Sequence, residues 1–391
     1  MQLVAYGAQD IYLTGNPQIT FFKVVYRRHT NFSMEAIEQT WNGNDTSNGR
    51  CTATISRNGD LVHRMYLEID GTLADDDIVG NIGSNGITDV ELEIGGQKID
   101  KQSGLWMETW AELTELNPTG RTSAGDAAQD GTLFQNMSGM GGHGYGGTST
   151  HVLKLFVPLQ FWFCRNPGLA LPLIALQYHE VKVILNHVYL DATRFNSSKT
   201  FTNKLWCDYI YLDTDERRRF AQVSHEYLIE QVQEQSLLTT AGASTDLNFN
   251  HPVKELIWSD GAGFTSNGKL DSAVATPAGA TYQLKLNGHD RFEARDYRYF
   301  TRTQVWQHHS GAGGLKSTAS TTGDFADSIA VYSFALKPEE HQPSGTCNFS
   351  RIDNAQLVIN SGSTSAANTI FAVNYNVLRI MSGMGGLAYS N

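Results

Sequence analysis

Three β-type segments in the first half of this 391-residue chain recur, in the same order, in its second half. The spacing between partners shrinks along the chain, as it would if loops had shortened, but the order never changes. One such match could arise by chance, whereas three in register indicate a duplicated domain. The pairs are Glu91–Ile99 with Gln283–Phe292, Glu180–Asn186 with Asn354–Asn360, and Trp206–Leu212 with Phe371–Leu378.

Short alternating or β-branched runs dominate the sequence, and Asn-Gly and Gly-Gly pairs separate them. These pairs tolerate the left-handed backbone of tight hairpins, so they predict turns between strands. Helical periodicity is weak outside two segments, Leu105–Leu116 and Glu226–Gln235. The chain is therefore predicted to be all-β, with short helices in its loops. The first helical segment has one apolar face, formed by Leu105, Trp106, Trp110 and Leu113.

The length of the chain exceeds that of one sandwich of about 100 to 200 residues, so two domains are expected. Each half, at roughly 170 to 190 residues, is also longer than an immunoglobulin sandwich of about 100, which favours the eight-stranded jelly roll with loop insertions. We predict two tandem antiparallel jelly-roll β-sandwiches. The predicted boundaries are an N-terminal arm over 1–24, a first jelly roll over 25–213, a linker over 214–223 and a second jelly roll over 224–391.

Charge and hydropathy exclude several partners. The formal net charge is -11, which leaves no broad basic surface, so direct nucleic-acid binding is not expected. The charged run Arg217–Arg219 is interpreted as part of a linker or an interface salt bridge. No run approaches the roughly 20 apolar residues of a transmembrane segment, and the start of the chain lacks a signal-peptide pattern. Synthesis and assembly in the cytosol are expected.

Four cysteines lie far apart without a C-x-x-C pair, which predicts reduced, partly buried thiols and neither a zinc knuckle nor a disulfide scaffold. They are Cys51, Cys164, Cys207 and Cys347.

Histidine motifs for metal binding are incomplete. The pairs that begin at His179 and at His225 each start an H-E-x-x-H pattern, but Val183 and Ile229 stand where the second histidine belongs. The adjacent pair His308-His309 would face opposite sides of a strand, so both imidazoles are expected to be solvated.

Other chemical signals are also weak. The stretch Gly139–Gly147 lacks the strand, helix and lysine of a phosphate-binding loop, so it is interpreted as a flexible loop. Acids are plentiful, as in Asp75–Asp77, but a glycosidase needs two facing carboxyls at a fixed gap, which a sequence does not reveal. We therefore predict no catalytic residue, no cofactor and no metal.

Two apolar patterns suggest contacts between proteins. Leu3, Val4, Ala8, Ile11 and Tyr12 fall near one helical stripe and precede a Gly-Asn-Pro stop, which predicts an arm that docks on minor proteins or neighbouring subunits. A membrane anchor is the alternative, weakened by the absence of basic residues before Lys23. The run Phe161–Phe163 is interpreted as a strand that is buried on both faces or lies at a subunit boundary.

Several segments, taken in order, carry a family resemblance. They are Tyr12–Lys23, Leu171–Val181, Phe220–Gln222 with His225–Gln231, Tyr332–Pro338, Gln342–Asn354 and Tyr375–Tyr389. Together they resemble the major capsid protein of large eukaryotic DNA viruses, the algal-virus type in particular. The resemblance implies two jelly rolls in tandem and a structural role in the virion.

Twin sandwiches in each chain suit assembly. Three such chains closed in a ring would present six similar towers, a nearly hexagonal block that can tile an icosahedral shell. The expected partners are a homotrimer, neighbouring capsomers, minor capsid proteins beneath the shell and a host-surface glycan at outward loops. The alternatives are a carbohydrate-binding, lectin-like jelly roll and a glycan-cleaving enzyme of the same architecture.

Candidate glycosylation sites are Asn44, Asn136 and Asn196, each in an Asn-x-Ser/Thr sequon. Further sequons begin at Asn31 and Asn348. Capsid proteins of the algal-virus type carry glycans at surface asparagines outside this motif, so the resemblance leaves both the presence and the position of glycans open.

Overall fold

The computed structural model describes residues 7–46, 48–73, 79–116, 132–141, 144–145, 151–189, 201–237, 242–259, 281–311, 313, 316–317, 325–326, 329–360 and 368–389. The Asn-Gly pair at Asn267, which predicts a turn, lies outside these ranges. So do most residues of two Gly/Ser/Thr-rich stretches, 261–280 and 310–323, which are predicted to be loop insertions.

The first half of the chain is a sandwich of two antiparallel sheets. One sheet has the order β1-β12-β4-β10, with β9 also on β4, and the other has the order β2-β3-β11-β6-β7. A short ribbon of β5 and β8 lies apart from them. These strands are β1 (Phe32–Gln39), β2 (Trp41–Gly43), β3 (Gly49–Thr54), β4 (Leu61–Leu73), β5 (Val79–Gly80), β6 (Ile87–Ile94), β7 (Gln97–Ser103), β8 (Gly144–Tyr145), β9 (His151–Pro158), β10 (Leu171–Pro172), β11 (Val181–His187) and β12 (Thr202–Leu212).

The second half repeats this arrangement. One sheet has the order β13-β24-β15-β21, with β22 on β15 and β25 on β24, and the other has the order β14-β23-β16-β17, with β18 on β16. The strands β19 and β20 form a separate ribbon. The strands are β13 (His225–Leu237), β14 (Ala243–Asp246), β15 (Pro252–Ser259), β16 (Thr281–Leu286), β17 (His289–Asp290), β18 (Arg295–Asp296), β19 (Lys316–Ser317), β20 (Phe325–Ala326), β21 (Ile329–Ser333), β22 (Cys347–Asn348), β23 (Ala355–Asn360), β24 (Asn368–Met381) and β25 (Met384–Leu387).

Matching strands of the two halves have the same neighbours. The sheet β1-β12-β4-β9 corresponds to β13-β24-β15-β21, and β3-β11-β6-β7 corresponds to β14-β23-β16-β17. This strand order is that of the jelly roll, with four main strands in each sheet. The predicted all-β fold of two tandem jelly rolls is therefore confirmed, and each of the three recurring sequence pairs falls on corresponding strands.

Two predicted hairpins have the expected geometry. Gly95 and Gly96 link β6 to β7 with φ of 59° and 83°, and Asn287 and Gly288 link β16 to β17 with φ of 52° and 75°. Positive φ at both central residues is the requirement of a type I′ turn. The Asn-Gly pair at Asn85 also predicts a hairpin turn, but this prediction was wrong, because Asn85 is the last residue of a short helix.

Short helices lie in the connections, as predicted. They are α1 (Ile11–Thr14), α2 (Ile82–Asn85), α3 (Gly104–Thr114), α4 (Leu133–Ser138), α5 (Trp162–Arg165), α6 (Thr214–Gln222) and α7 (Gln304–His308). A π-helical turn over Tyr299–Thr303 leads into α7, and 3-10 turns cover Pro167–Leu169 and Phe349–Arg351. The predicted linker thus contains the nine-residue helix α6.

Two local predictions were wrong. The segment Glu226–Gln235 is not helical but lies within β13, which pairs with β24 along its whole length. Backbone pairing of that extent, with Ile229 buried, outweighs a local preference for helix. The run Phe161–Phe163 is not a strand, since Phe161 precedes α5 and Trp162 and Phe163 lie in its first turn. All three rings are nevertheless buried.

Each sandwich has its own apolar core, and a third cluster joins them. The first core also contains Ile229, Leu378 and Ile380 from the second half. The second core centres on aromatic rings, with Trp258, Tyr282 and Phe300 in mutual contact at centroid distances of 5.4 to 5.6 Å. The two sandwiches therefore share buried apolar surface.

Candidate functional site: the junction of the two sandwiches

Helix α3 carries the apolar part of the junction. Ser103 caps it by accepting a hydrogen bond from the Trp106 amide at 3.2 Å. Its residues Trp106, Trp110 and Leu113, whose common face was predicted, are buried against the second sandwich. The Trp106 and Phe371 ring centroids lie 5.2 Å apart. The residues of the second sandwich in this cluster are Ile257, Val305, Ile329, Val331, Phe371 and Val373.

The segment after α7 completes the end of α3. The amides of Gly311 and Gly313 donate to the carbonyls of Leu113 and Glu112 at 2.7 and 2.8 Å. The Ser310 hydroxyl donates to the Thr114 carbonyl at 2.9 Å. The last carbonyls of a helix have no partner within it, so the second sandwich supplies the missing donors. The junction therefore contains directed hydrogen bonds between the two sandwiches as well as apolar contacts.

A buried ion cluster crosses the junction beside α3. Glu230 on β13 accepts from Lys254 Nζ at 2.9 Å and from Arg165 Nη1 at 3.0 Å, and His341 Nδ1 lies 3.5 Å away. Burial alone would raise the pKa of Glu230, but His341, Arg165 and Lys254 together lower it. Because Lys254 is 1% exposed, its ammonium depends on this carboxylate.

A second cluster surrounds His309. Its Nε2 lies 2.8 Å from Glu255 Oε2, its Nδ1 lies 3.0 Å from Glu339 Oε1, and its ring meets Trp110 edge-on. Burial would lower the pKa of His309, but Glu255 and Glu339 raise it to about 9. The prediction of a solvated histidine on a strand was therefore wrong for His309, which is buried, charged and located just after a helix.

Polar contacts extend the junction along β7 and β13. The Gln231 side chain donates to the Ile99 carbonyl, and the Val232 amide donates to Asp100 Oδ1 at 3.2 Å. Burial raises the pKa of Asp100 to about 6.

A cleft of about 900 Å³ lies beside these contacts. One of the carboxylates lining it, Asp89, is 3.2 Å from Lys101 Nζ.

The C-terminal hairpin closes the far end of the junction. The Gly385 amide donates to His179 Nδ1 at 3.1 Å, and the Leu387 amide donates to Gln97 Oε1 at 3.2 Å. The sequence predicts no metal site at His179. In the structure its ring is hydrogen-bonded to the backbone of β25. The two sandwiches are joined at both ends of their contact and along its middle.

The remaining candidates for chemistry are scattered. His225 Nε2 donates to the Phe220 carbonyl at 2.8 Å, and Glu226 pairs with Arg379 at 2.8 Å. Among the residues that the structure describes, no group of three or more His, Cys, Asp or Glu side chains could hold a metal ion. The four cysteines, all within the described ranges, are unpaired. Asp75–Asp77 lie outside those ranges.

The described part of the glycine-rich stretch is structural. The Gly141 amide donates to Glu108 Oε1 at 2.9 Å, and Glu108 Oε2 accepts from the Ser84 hydroxyl at 2.8 Å. These bonds tie the loop to α2 and α3.

Two of the three candidate glycosylation sites are described, and both are exposed. Asn44 follows β2, and its side chain donates to the Asn48 carbonyl at 3.3 Å. Asn136 lies on α4, and its side chain donates to the Thr132 carbonyl at 3.1 Å. Asn196 lies outside the described residues.

Sequence reasoning missed the ion clusters. Arg165, Glu230 and Lys254 are distant in the chain, and only folding brings them together. One signal was present: Lys254-Glu255 interrupts the apolar run from Val253 to Trp258. Charged residues inside such a run indicate buried charges that need partners.

None of the described helices has the length and apolar character to cross a membrane.

Family profiles match both halves of the chain. A profile described as "Major capsid protein N-terminus" matches residues 20–213. A second profile, described as "Large eukaryotic DNA virus major capsid protein", matches residues 216–386.

Curated relatives match along the full length. The chain is 52% identical over 410 residues to the major capsid protein of Pyramimonas orientalis virus, covering 100% of this chain and 99% of the relative. It is 40% identical to the major capsid protein of Paramecium bursaria Chlorella virus 1, with the same coverage.

Solved structures share the architecture. A chain in the quasi-atomic model of the PBCV-1 virus capsid superposes with a TM-score of 0.79 and 36% identity, covering 95% of this chain and 100% of that one. The Faustovirus major capsid protein superposes with a TM-score of 0.65 at 14% identity, covering 96% and 94%, which shows a shared fold.

Proposed function

This chain belongs to the family of major capsid proteins of large eukaryotic DNA viruses, and we propose that it builds the virion shell as homotrimeric, pseudo-hexagonal capsomers. The observation that carries the proposal is the pair of jelly rolls with matching strand order, held together by a buried junction. Its role is structural, and its place is the capsid of the virion.

Threefold assembly follows from the twin design. Three copies related by a cyclic axis present six similar sandwiches, so a nearly hexagonal block results. Such a block tiles a flat face with small differences among its lateral contacts. The junction supports this role because Trp106, Glu230 and His309 are buried where the sandwiches meet, so each chain would act as one rigid unit.

A non-enzymatic role fits the described chemistry better than the two alternatives. Two of the candidate residues from the sequence have structural contacts. His179 is hydrogen-bonded to the backbone of Gly385, and Glu226 forms an ion pair with Arg379. A glycan-cleaving enzyme needs two facing carboxyls at a fixed gap. Three acids line the junction cleft, and each has a partner: Asp89 pairs with Lys101, Asp100 accepts from Gln102 and the Val232 amide, and Glu234 is hydrogen-bonded to Ser103. The other alternative, a lectin-like protein, predicts that an isolated monomer binds sugar.

The chain divides into parts with separate tasks. Residues 1–24 form an arm that docks beneath the shell on minor capsid proteins or neighbouring subunits, residues 25–213 and 224–391 form the towers, and residues 214–223 link them. Outward loops contact a host-surface glycan. Synthesis and assembly take place in the host cytoplasm, followed by incorporation into the shell.

Light scattering coupled to size-exclusion chromatography of the purified full chain tests the proposal. A mass of three chains is the expected result. A persistent monomer, particularly one with measurable sugar affinity, would contradict it and favour the lectin-like alternative.

A further inference from the structure

A groove of about 580 Å³ lies where α6 meets β13. Its aromatic wall is a row of three rings. Phe220 stacks on His225 with centroids 5.3 Å apart, and His225 stacks on Tyr227 at 6.0 Å. Val223, at the corner of the groove, is 53% exposed. The groove thus offers apolar surface that folding of one chain leaves uncovered.

The same groove is acidic at its rim. Asp215, Glu216 and Glu226 line it together with Arg219. Glu226 is engaged by Arg379. Glu216 Oε2 is buried and has no hydrogen-bond partner among the residues that the structure describes. With Asp215 beside it, Glu216 gives this rim a negative charge that a basic segment would complement.

The N-terminal arm has the complementary composition. Between residues 19 and 26 its apolar side chains are 73% to 98% exposed, with Phe22 at the upper limit. The basic residue Lys23 lies among these apolar residues, and Arg27 and Arg28 follow them. A single chain that leaves so much contiguous apolar surface in water indicates a docking segment. The apolar residues are Ile19, Phe21, Phe22, Val24, Val25 and Tyr26.

We propose that residues 19–28 of one copy bind the groove between α6 and β13 of the next copy in the trimer. The apolar residues cover Phe220, Val223 and Tyr227, and a basic residue of the arm donates to Glu216. This inference rests on the proposed function, because it names the contact that joins neighbouring copies. A head-to-tail contact of this kind closes into a ring of three when successive copies are related by a third of a turn.

The direction of the arm favours a neighbouring copy over the arm's own groove. Thr30 lines the groove of its own chain, so the arm leaves from the groove's edge. Residues 19–28 do not line that groove, and their apolar side chains stay exposed, with Phe22 at 98%. The arm therefore leaves the groove of its own chain uncovered, and the arm of a neighbouring copy can cover it.

Cross-linking between two differently substituted chains tests the proposal. Val24→Cys is introduced into one full-length chain and Val223→Cys into a second, tagged chain, and the two are co-expressed and treated with a short bismaleimide. Both positions are exposed, so the substitutions leave the folded sandwiches intact. The expected product is an adduct of one tagged and one untagged chain, absent when either chain is paired with wild type.

A matched pair of acidic variants tests the charge contact. Glu216→Gln in the tagged chain is expected to lower the adduct yield several-fold, whereas Glu293→Gln, an exposed acid outside the groove, leaves it unchanged. A trimer that gives no mixed adduct overturns the arm contact but not the proposed function. A monomer by light scattering overturns both the arm contact and the proposed function.

Discussion

Arg165 of the first sandwich and Glu230 of the second are joined by a 3.0 Å hydrogen bond between Nη1 and Oε2. The same guanidinium lies 4.3 Å from the centre of the Trp110 ring, so one side chain connects the ion cluster to the apolar face of α3. Polar and apolar parts of the junction are therefore coupled, and loss of either is expected to loosen the relation between the two towers.

Replacement of Glu230 by Gln is expected to destabilise the protein by about 3 to 5 kcal/mol, because it removes one partner of a buried ion pair in which Lys254 is only 1% exposed. Guanidinium-induced unfolding measures the loss. Glu226→Gln is the control, since Glu226 lies on the same strand and pairs with Arg379 where both side chains are more than half exposed. Its loss is expected to stay below about 1 kcal/mol, and equal losses would contradict the special role of Glu230.

Trp106→Ala is expected to cost about 3 to 5 kcal/mol, because it opens a cavity between the sandwiches where the indole is fully buried. Trp306→Ala removes the same side chain from a site that is 82% exposed, so its unfolding free energy is expected to change by about 0.5 kcal/mol or less. Thermal and denaturant unfolding compare the two. Similar losses at both positions would show that α3 does not hold the junction.

His309 is expected to make stability depend on alkaline pH. Its pKa in the folded protein, about 9, lies above the ordinary value of 6.5, so folding favours the protonated imidazole between Glu255 and Glu339. This contribution is complete below pH 6.5 and is lost as the pH rises through 9. Melting temperatures of wild type and His309→Gln should therefore converge over that interval.

The matched control for the pH experiment is His308→Gln, since the His308 ring is hydrogen-bonded to the Leu336 carbonyl, at 3.2 Å, and not to a carboxylate. Its melting curve should follow that of wild type across the same range. A constant difference between wild type and His309→Gln from pH 6 to 10 would exclude a charged His309.

The presence of glycans at the exposed sequons is open and can be tested by intact-mass measurement of virion-derived protein. If Asn44 or Asn136 carries a glycan, the mass exceeds that of the sequence, and Asn44→Gln or Asn136→Gln removes one increment. Both side chains are exposed, so the substitutions should leave folding unaffected. Protein at the sequence mass would rule glycans out.

Removal of residues 1–14 is expected to leave trimers intact but to impair shell assembly, because α1 exposes Ile11, Tyr12 and Leu13. Light scattering reports the trimer, and electron microscopy reports the shell. Normal shells from the shortened chain would show that this part of the arm makes no required contact.

Patterns local in the chain were predicted well. The turn at Asn287-Gly288 requires positive φ, which these residues adopt at little cost, so its position could be read directly. The spacing of the apolar residues in α3 also predicted its apolar face. By contrast, β13 was mistaken for a helix because its partner, β24, lies more than 100 residues away in sequence, and no local pattern reveals that pairing.

The amino-acid sequence by itself determined the duplicated β architecture, because strand periodicity and turn chemistry depend on neighbouring residues. Only the tertiary structure decided how the two copies are joined. Glu230, Lys254 and Arg165 become partners because the sandwiches exclude water around them, and a charge excluded from water must find an opposite charge wherever the fold places one.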